Sequence, residues 1–473
     1  MKDTFLYGVA AAISKASAFI CFPLLAHHLS KADYGTLDFY LVMGSLLVVL
    51  FVFGQDGAVA RYFYEYEDLS ERKQLISQSL IFQLSGLLLF LPVVWIFADF
   101  FSGLLIDVPN RIELFKIVLL QIPFLLLINF SRNLLKWTFA RKQYLTLSLG
   151  APLIQVGLLY FAVKQLDADI ILLLKFFLLS NFIFSLLGLC FIVKWLTIPH
   201  GFERLGEMIP FAVPLGVIGV LGIFLPTIER MCVEQFLGVS SLGDYAVATK
   251  IAMLITFVAN AFQTAWGPFS LSIYKGKNAS ETYNWVLKFF CLCTCILTLI
   301  ITMLAQPLVN LLASEKFSSS TTVVFPLVMG LNIQAVSWVT EVGIGISKRS
   351  HLNLYSFASN LIVTILGIFV LTPIWGIVGV GLAVMIGFLT KALVASYLAQ
   401  AAYKLDWSYR PVIMIMLVTL LFGLTSMCFQ YISDFTSSNL ILFLGIIVII
   451  SVGWMVLLNR NERKRVLSLI RIS

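Results

Sequence analysis

Runs of about twenty apolar residues, separated by short polar turns, recur along nearly the whole chain. At 1.5 Å per residue such a run matches the roughly 30 Å hydrocarbon thickness of a bilayer. Fourteen can be marked, near residues 5–27, 36–57, 77–98, 113–135, 145–163, 170–193, 208–228, 243–271, 284–305, 321–346, 352–372, 376–402, 411–430 and 439–458. The longest polar stretches, roughly 64–76 and 197–207, are only about a dozen residues long. This pattern predicts an all-α polytopic membrane protein of about fourteen transmembrane helices with almost no extramembrane domain. The first run carries Lys15 in mid-span and no small-residue cleavage site after a short apolar core, so it reads as a mature helix and not a cleaved signal.

Composition agrees. Hydrophobic residues make up 60% of the 473 positions and charged residues 12%, about half the charge of a soluble domain. The charge is also unevenly placed. With a cytoplasmic N-terminus, the cytoplasmic loops and ends hold Arg72, Lys73, Arg141, Lys142, Lys275, Lys277, Lys348, Arg349 and the tail run Arg460, Arg463, Lys464, Arg465. The opposite side holds only Lys31, Arg111, Lys164, Arg230 and Lys316. That asymmetry orients both termini inside, so the basic loops set topology and do not imply nucleic acid. The basic tail can also meet anionic lipid.

Enzymatic classes find little support. There is no Walker loop, no dinucleotide glycine fingerprint and no Cys/His metal spacing. The seven cysteines fall mostly inside apolar runs and read as small packing residues. Neither a cofactor nor a metal is expected. Without a nucleotide site, uphill transport must draw on an ion gradient or on the substrate's own.

An internal repeat organises the chain. DYGTLDFY, GQDG and RYFYE near the start are echoed later by DYAVATK, AWGP and SIYKG. Tyr34 to Asp56 and Tyr245 to Gly267 are both 22 residues (56 − 34 and 267 − 245). FPLL at 22–25 resembles LPTI at 225–228, and ARKQYLTL at 140–147 resembles SKRSHLNL at 347–354. The order is the same in both halves. It implies an N-lobe (1–196), a cytoplasmic linker (197–207), a C-lobe (208–404) and a C-terminal pair of spans with the basic tail (405–473). Parallel six-helix repeats related by a pseudo-two-fold axis along the membrane normal are a transporter architecture, with the substrate path between lobes.

Charges at depth are the candidate chemistry, because each costs roughly 2.5–3.5 kcal/mol on insertion scales. Lys15, Lys175, Lys250 and Lys391 lie inside apolar runs. Lys175 and Lys250 are close enough to an outer interface to snorkel. Lys15 and Lys391 have ten or more helical residues on each side, which favours a water-filled cavity over a buried ion pair. Two acids lie at depth, Asp38 and Glu341; either they partner lysines structurally or they carry a coupling proton or sodium. Four lysines against two acids leave a positive excess, which suits an anionic substrate. Asn129, Arg132, Asn133 and Lys136 share one helix face at i, i+3, i+4 and i+7. That stripe is either a vestibule for a phosphate group, which arginine matches by its forked donors, or a positive-inside anchor. Tyr34, Tyr40, Tyr245 and Trp266 occupy repeat-related positions and either stack on sugar faces or sit in the interfacial belt.

LSKADYGTLDFY, the pair DYAVATK and AFQTAWGPF, and GIVGVGLA together resemble the polysaccharide-transporter branch of the multidrug/oligosaccharidyl-lipid/polysaccharide exporter superfamily. Within it the chain resembles Wzx-type O-antigen or capsule repeat-unit flippases. The resemblance implies transfer of an undecaprenyl-diphosphate-linked oligosaccharide across a bacterial inner membrane by alternating access, through a cationic cavity. Lys15, Lys391, Lys250 and Lys175 would then neutralise the diphosphate, Arg132 and Lys136 would gather it at the cytoplasmic mouth, and Asp38 or Glu341 would carry a coupling H+ or Na+. Membrane lipid, a polysaccharide polymerase and chain-length proteins are the implied partners. The rival within the superfamily is an ion-coupled multidrug antiporter, for which more deep carboxylates than cations are expected.

Overall fold

The computed structural model describes residues 19–276, 278–347, 349, 351–431 and 435–457. Among them there is no strand. Eleven helices are long and apolar enough to cross a membrane, or twelve if one bent pair is a single span. The polytopic all-α expectation therefore holds, with the count of fourteen approximate. The first expected span is described only as the short helix α1 (Phe19–His28), and the eleventh and twelfth form one broken helix. By packing, the chain divides into two compact units, Met1–Ala246 and Val247–Ser473. This contact boundary and the repeat boundary at 197–207 describe different things, present packing in one case and sequence similarity in the other.

In the first unit, α2 (Lys31–Val52) starts at Ser30, whose hydroxyl accepts the Asp33 N–H at 3.1 Å and so satisfies a free end of the helix. It ends where Phe53 and Gly54 adopt φ of 37° and 74°. The GQDG turn requires glycine twice over. The left-handed φ suits a residue without Cβ, and a Cβ there would run into the Ala212 carbonyl. Next come α3 (Gln55–Tyr62), α4 (Leu69–Ile96), α5 (Ala98–Gly103) and α6 (Arg111–Trp137). They are followed by α7 (Arg141–Leu145), α8 (Ala151–Leu166), α9 (Ile170–Ile192) and α10 (Glu203–Leu237). Helix α6 packs on α9 and α2, and α2 packs on α10. Small residues set the close approaches, with Gly188 against Ser131 and Gly44 against Val118.

Helix α10 is 35 residues long and holds Pro210, Pro214 and Pro226. At about 52 Å it exceeds the hydrocarbon core. Segment 197–205 just before and within its start is held to α4: the Thr197 N–H donates to Ser77, that of His200 to Gln74, and that of Leu205 to Gln78. Nearby, Tyr66 donates to Glu207, and burial together with that bond pushes the Tyr66 phenol up to about 12. Helix α11 (Val239–Ala252) begins in this unit, its Gly243 meeting Lys31 and Gly35 of α2.

The second unit contains α12 (Leu254–Ile273), α13 (Ala279–Met303), α14 (Ala305–Leu312), α15 (Thr321–Thr340), α16 (Val342–Ile346), α17 (Leu352–Ala402), α18 (Tyr409–Tyr431) and α19 (Phe435–Leu457). Helix α15 is its core, buried along most of its length and packed against α12, α13, α17 and α18. Helix α17 is broken at Gly376 (φ 55°, ψ −135°) and folds back on itself. Gly387 abuts Asn360 and Thr364, Gly367 abuts Ala383, and Gly379 abuts Leu371. The paired numbers sum to nearly the same value, as two antiparallel arms require. The GIVGVGLAV run thus provides the small faces of a helical hairpin. On α13, Thr294, Thr298 and Thr302 return their hydroxyls to carbonyls four residues back, satisfying polar groups where lipid offers no partner. Large apolar side chains such as Leu88, Leu89, Phe90, Ile96, Leu393 and Leu421 are exposed, which suits a lipid-facing surface.

Candidate functional site

In the first unit, a polar network is buried where α2 meets α10 and the start of α11. Asp38 and Arg230 each leave 2% of their side chains exposed. Arg230 donates from Nε and Nη2 to one Asp38 oxygen at 2.8 and 2.7 Å, and from Nη1 to the Pro226 carbonyl at 3.0 Å. The adjacent Glu229, also buried, accepts the Tyr245 hydroxyl at 2.8 Å. Lys31 pairs with Asp244 at 3.0 Å. Asp38 thus has an arginine partner. Sequence reasoning missed Glu229 and placed Arg230 in an outer loop by ending the seventh span at 228. The available signal was the absence of any helix breaker after Pro226 before Gly238, where φ turns to 80°.

At the other end of this unit, Asp56 of the GQDG turn accepts the Asn133 amide at 2.7 Å, and Arg132 donates to Asn129 at 2.6 Å. The expected shared face is therefore real: Arg132 is half-buried in this cluster, and Lys136, one turn further, is exposed. Arg61 lies 4.6 Å over the Phe211 ring. Lys175 is half exposed and pairs with Glu113 at 3.3 Å, at the first turn of α6, as a snorkelling residue would. A recess of about 710 Å³ lies beside it, lined by Trp95, Arg111, Glu113 and Lys116 among others.

In the second unit, Lys391 is 1% exposed and donates to Glu341 at 2.9 Å. Ser337 donates to the same carboxylate oxygen at 2.7 Å, and the ammonium sits 4.9 Å over the Phe357 ring. Lys391, expected from its depth to face water, is instead the buried ion pair; that Glu341, at the end of α15, meets the second arm of α17 is invisible in the sequence. Lys250 is half-buried on α11. Lys15 lies outside the described residues. The positive excess inferred from lysines alone does not survive in these contacts, since Lys175, Lys391 and Arg230 each meet a carboxylate and Glu229 adds another acid.

Glu341 also lines a recess of about 240 Å³ with Trp266, Trp338, Gly267, Gly345 and Asn353. Tyr34, Tyr40, Tyr245 and Trp266 are all nearly fully buried, so none stands in the interfacial belt. Trp266 is packed by Phe262 and Tyr283. Among the described residues, no group of three or more His, Cys, Asp or Glu could hold a metal ion.

Comparison with known proteins places these features. Over 304 residues the chain is 24% identical to Lsg locus protein 1 of Haemophilus influenzae, covering 62% of this chain and 71% of that one. Its fold is similar to the lipid II flippase MurJ, with a TM-score of 0.72 and 15% identity over 95% of this chain and 99% of the other. It is also similar to a multidrug resistance transporter of the MATE family, with a TM-score of 0.63 over 84% and 94% of the two chains. A family model described as polysaccharide biosynthesis protein matches residues 1–273. With more than half of its length matched by that model, the chain belongs to the polysaccharide biosynthesis protein family.

Proposed function

We propose that this protein is a flippase, not an enzyme, that moves an undecaprenyl-diphosphate-linked oligosaccharide repeat unit from the inner to the outer leaflet of a bacterial inner membrane by ion-coupled alternating access. The observation that carries the reading is the family match over residues 1–273. The fold likeness to a lipid II flippase supports it, and the basic end of α6 offers a landing place for a diphosphate: Arg132 is half-buried and forked, and Lys136 is exposed one turn on. Both termini are cytoplasmic in this reading, because the basic residues gather on that side. The repeat units 1–196 and 208–404 are the proposed lobes, with 405–473 appended. Asp38 and Glu341 are the proposed coupling residues. Each is already held by a cation, so protonating either would release a lysine or arginine, and this links ion binding to rearrangement.

The multidrug antiporter remains a second reading. It is favoured by the MATE likeness and by the extra deep carboxylate, Glu229.

A strain lacking the gene should lose its surface glycan and regain it on complementation. Lys15→Ala, and Lys391→Met paired with Glu341→Gln, should fail to restore it at normal protein level. Wild-type surface glycan in both variants would remove the lysines from the site. Loss of drug resistance with intact glycan would favour the antiporter.

A further inference from the structure

We infer that the recess beside Glu341 in the second unit is a subsite for a single sugar ring; the inference rests on the flippase reading and names what part of the head group this place would hold. Three residues that line the recess carry polar atoms with unused capacity. The Trp266 Nε1–H is buried on a residue only 5% exposed, and it has no hydrogen-bond partner among the described residues. The Asn353 Oδ1 is likewise buried and unpartnered. Glu341 takes Lys391 and Ser337 on one oxygen, Oε1, leaving Oε2 without a donor among the described residues. Buried polar atoms normally have partners, so a donor and an acceptor left open at one recess point to a ligand that fills both.

The chemistry of the set selects the ligand. An indole N–H needs an acceptor, whereas an amide oxygen and a carboxylate oxygen need donors. A hydroxyl group both donates and accepts, so adjacent hydroxyls on one ring satisfy all three. Phosphate and carboxylate groups only accept, and Glu341 would repel them. A lipophilic cation would leave the indole N–H unmet. Trp338, half-buried on the same wall, offers an aromatic surface to the C–H face of a pyranose. The volume, about 240 Å³, lies below the roughly 300–1,000 Å³ of drug-sized pockets and suits one ring and not a whole repeat unit. Gly267 and Gly345 keep it open: both line the recess, and a Cβ on either would meet nothing within 4 Å.

The test is saturation-transfer NMR on the full chain in lipid nanodiscs, free of glycosidic detergent. The probes are methyl glycosides of glucose, galactose, mannose and N-acetylglucosamine, with tetraphenylphosphonium as the cationic comparison. At least one glycoside should receive saturation. Trp266→Phe, which keeps the ring but loses the N–H, and Gly267→Leu, which fills open space, should each weaken that binding at least tenfold. Gly222→Leu, placed in equally open space on α10, should leave it unchanged. No transfer to any glycoside, unaltered binding in both recess variants, or binding of tetraphenylphosphonium alone would overturn the inference. Surface glycan separates this from the flippase reading. Glycan lost on deletion but kept in recess variants, with no glycoside bound, removes only the subsite; glycan intact on deletion removes the function.

Discussion

Lys391 and Glu341 stand fifty positions apart in the chain yet share one buried hydrogen bond, and each makes the other tolerable at depth. Removing one member of such a pair leaves an uncompensated charge and destabilises by about 3–5 kcal/mol, whereas replacing both is often close to neutral. Lys391→Met should therefore lower the melting temperature of the purified protein strongly, and Lys391→Met combined with Glu341→Gln should recover most of the loss. Additive losses in the double variant would mean the two groups are not coupled. Depth was legible in the sequence for Lys391, because ten or more residues of an expected helix flank it on each side, but its partner was not. Pairing depends on the turn at Gly376 that brings the far arm of α17 back. Arg230 fails the other way: its partner Asp38 was recognised as deep, while the arginine itself was read as an outer-loop charge.

At the scale of elements, the spans were readable because a backbone in lipid must satisfy its own hydrogen bonds, leaving hydropathy a direct record of the helices. Ends were less readable. Helix α10 runs on to Leu237 because nothing before Gly238 stops it, and three prolines inside it did not break it. The two glycines with special backbones make a discriminating pair. Gly376 has positive φ and open space around a would-be Cβ, whereas Gly54 has positive φ and the Ala212 carbonyl in the way. Gly376→Ala should cost about 1–3 kcal/mol for backbone strain alone. Gly54→Ala should cost more, since the α2–α10 contact must also open. Thermal unfolding of both variants checks the order, and equal losses would contradict the close approach at Gly54.

For the whole molecule, the family was legible through degenerate motifs spread from residue 29 to residue 383, and the lipid-embedded fold through composition. The nature of the cargo was less so. Its anionic character was argued from unpaired lysines, and the described lysine and arginine at greatest depth, Lys391 and Arg230, are paired. The anion argument now rests on the basic end of α6 and on family membership. Orientation is open to direct test. Reporter fusions at the N-terminus, at position 200 and at the C-terminus should all report cytoplasm, and fusions near 107 and 316 the opposite side; an outward N-terminus would reverse the assignment of every mouth. The central claim is transfer of a lipid-linked glycan between leaflets. Purified protein reconstituted into liposomes holding a fluorescent undecaprenyl-diphosphate oligosaccharide measures it most directly, with a dithionite quencher outside. Quenching is expected to pass the half-maximal level set by outer-leaflet lipid in protein-containing vesicles and to stop there in protein-free ones. Quenching that halts at half in both, across a panel of glycans and with an imposed H+ or Na+ gradient, would contradict the account.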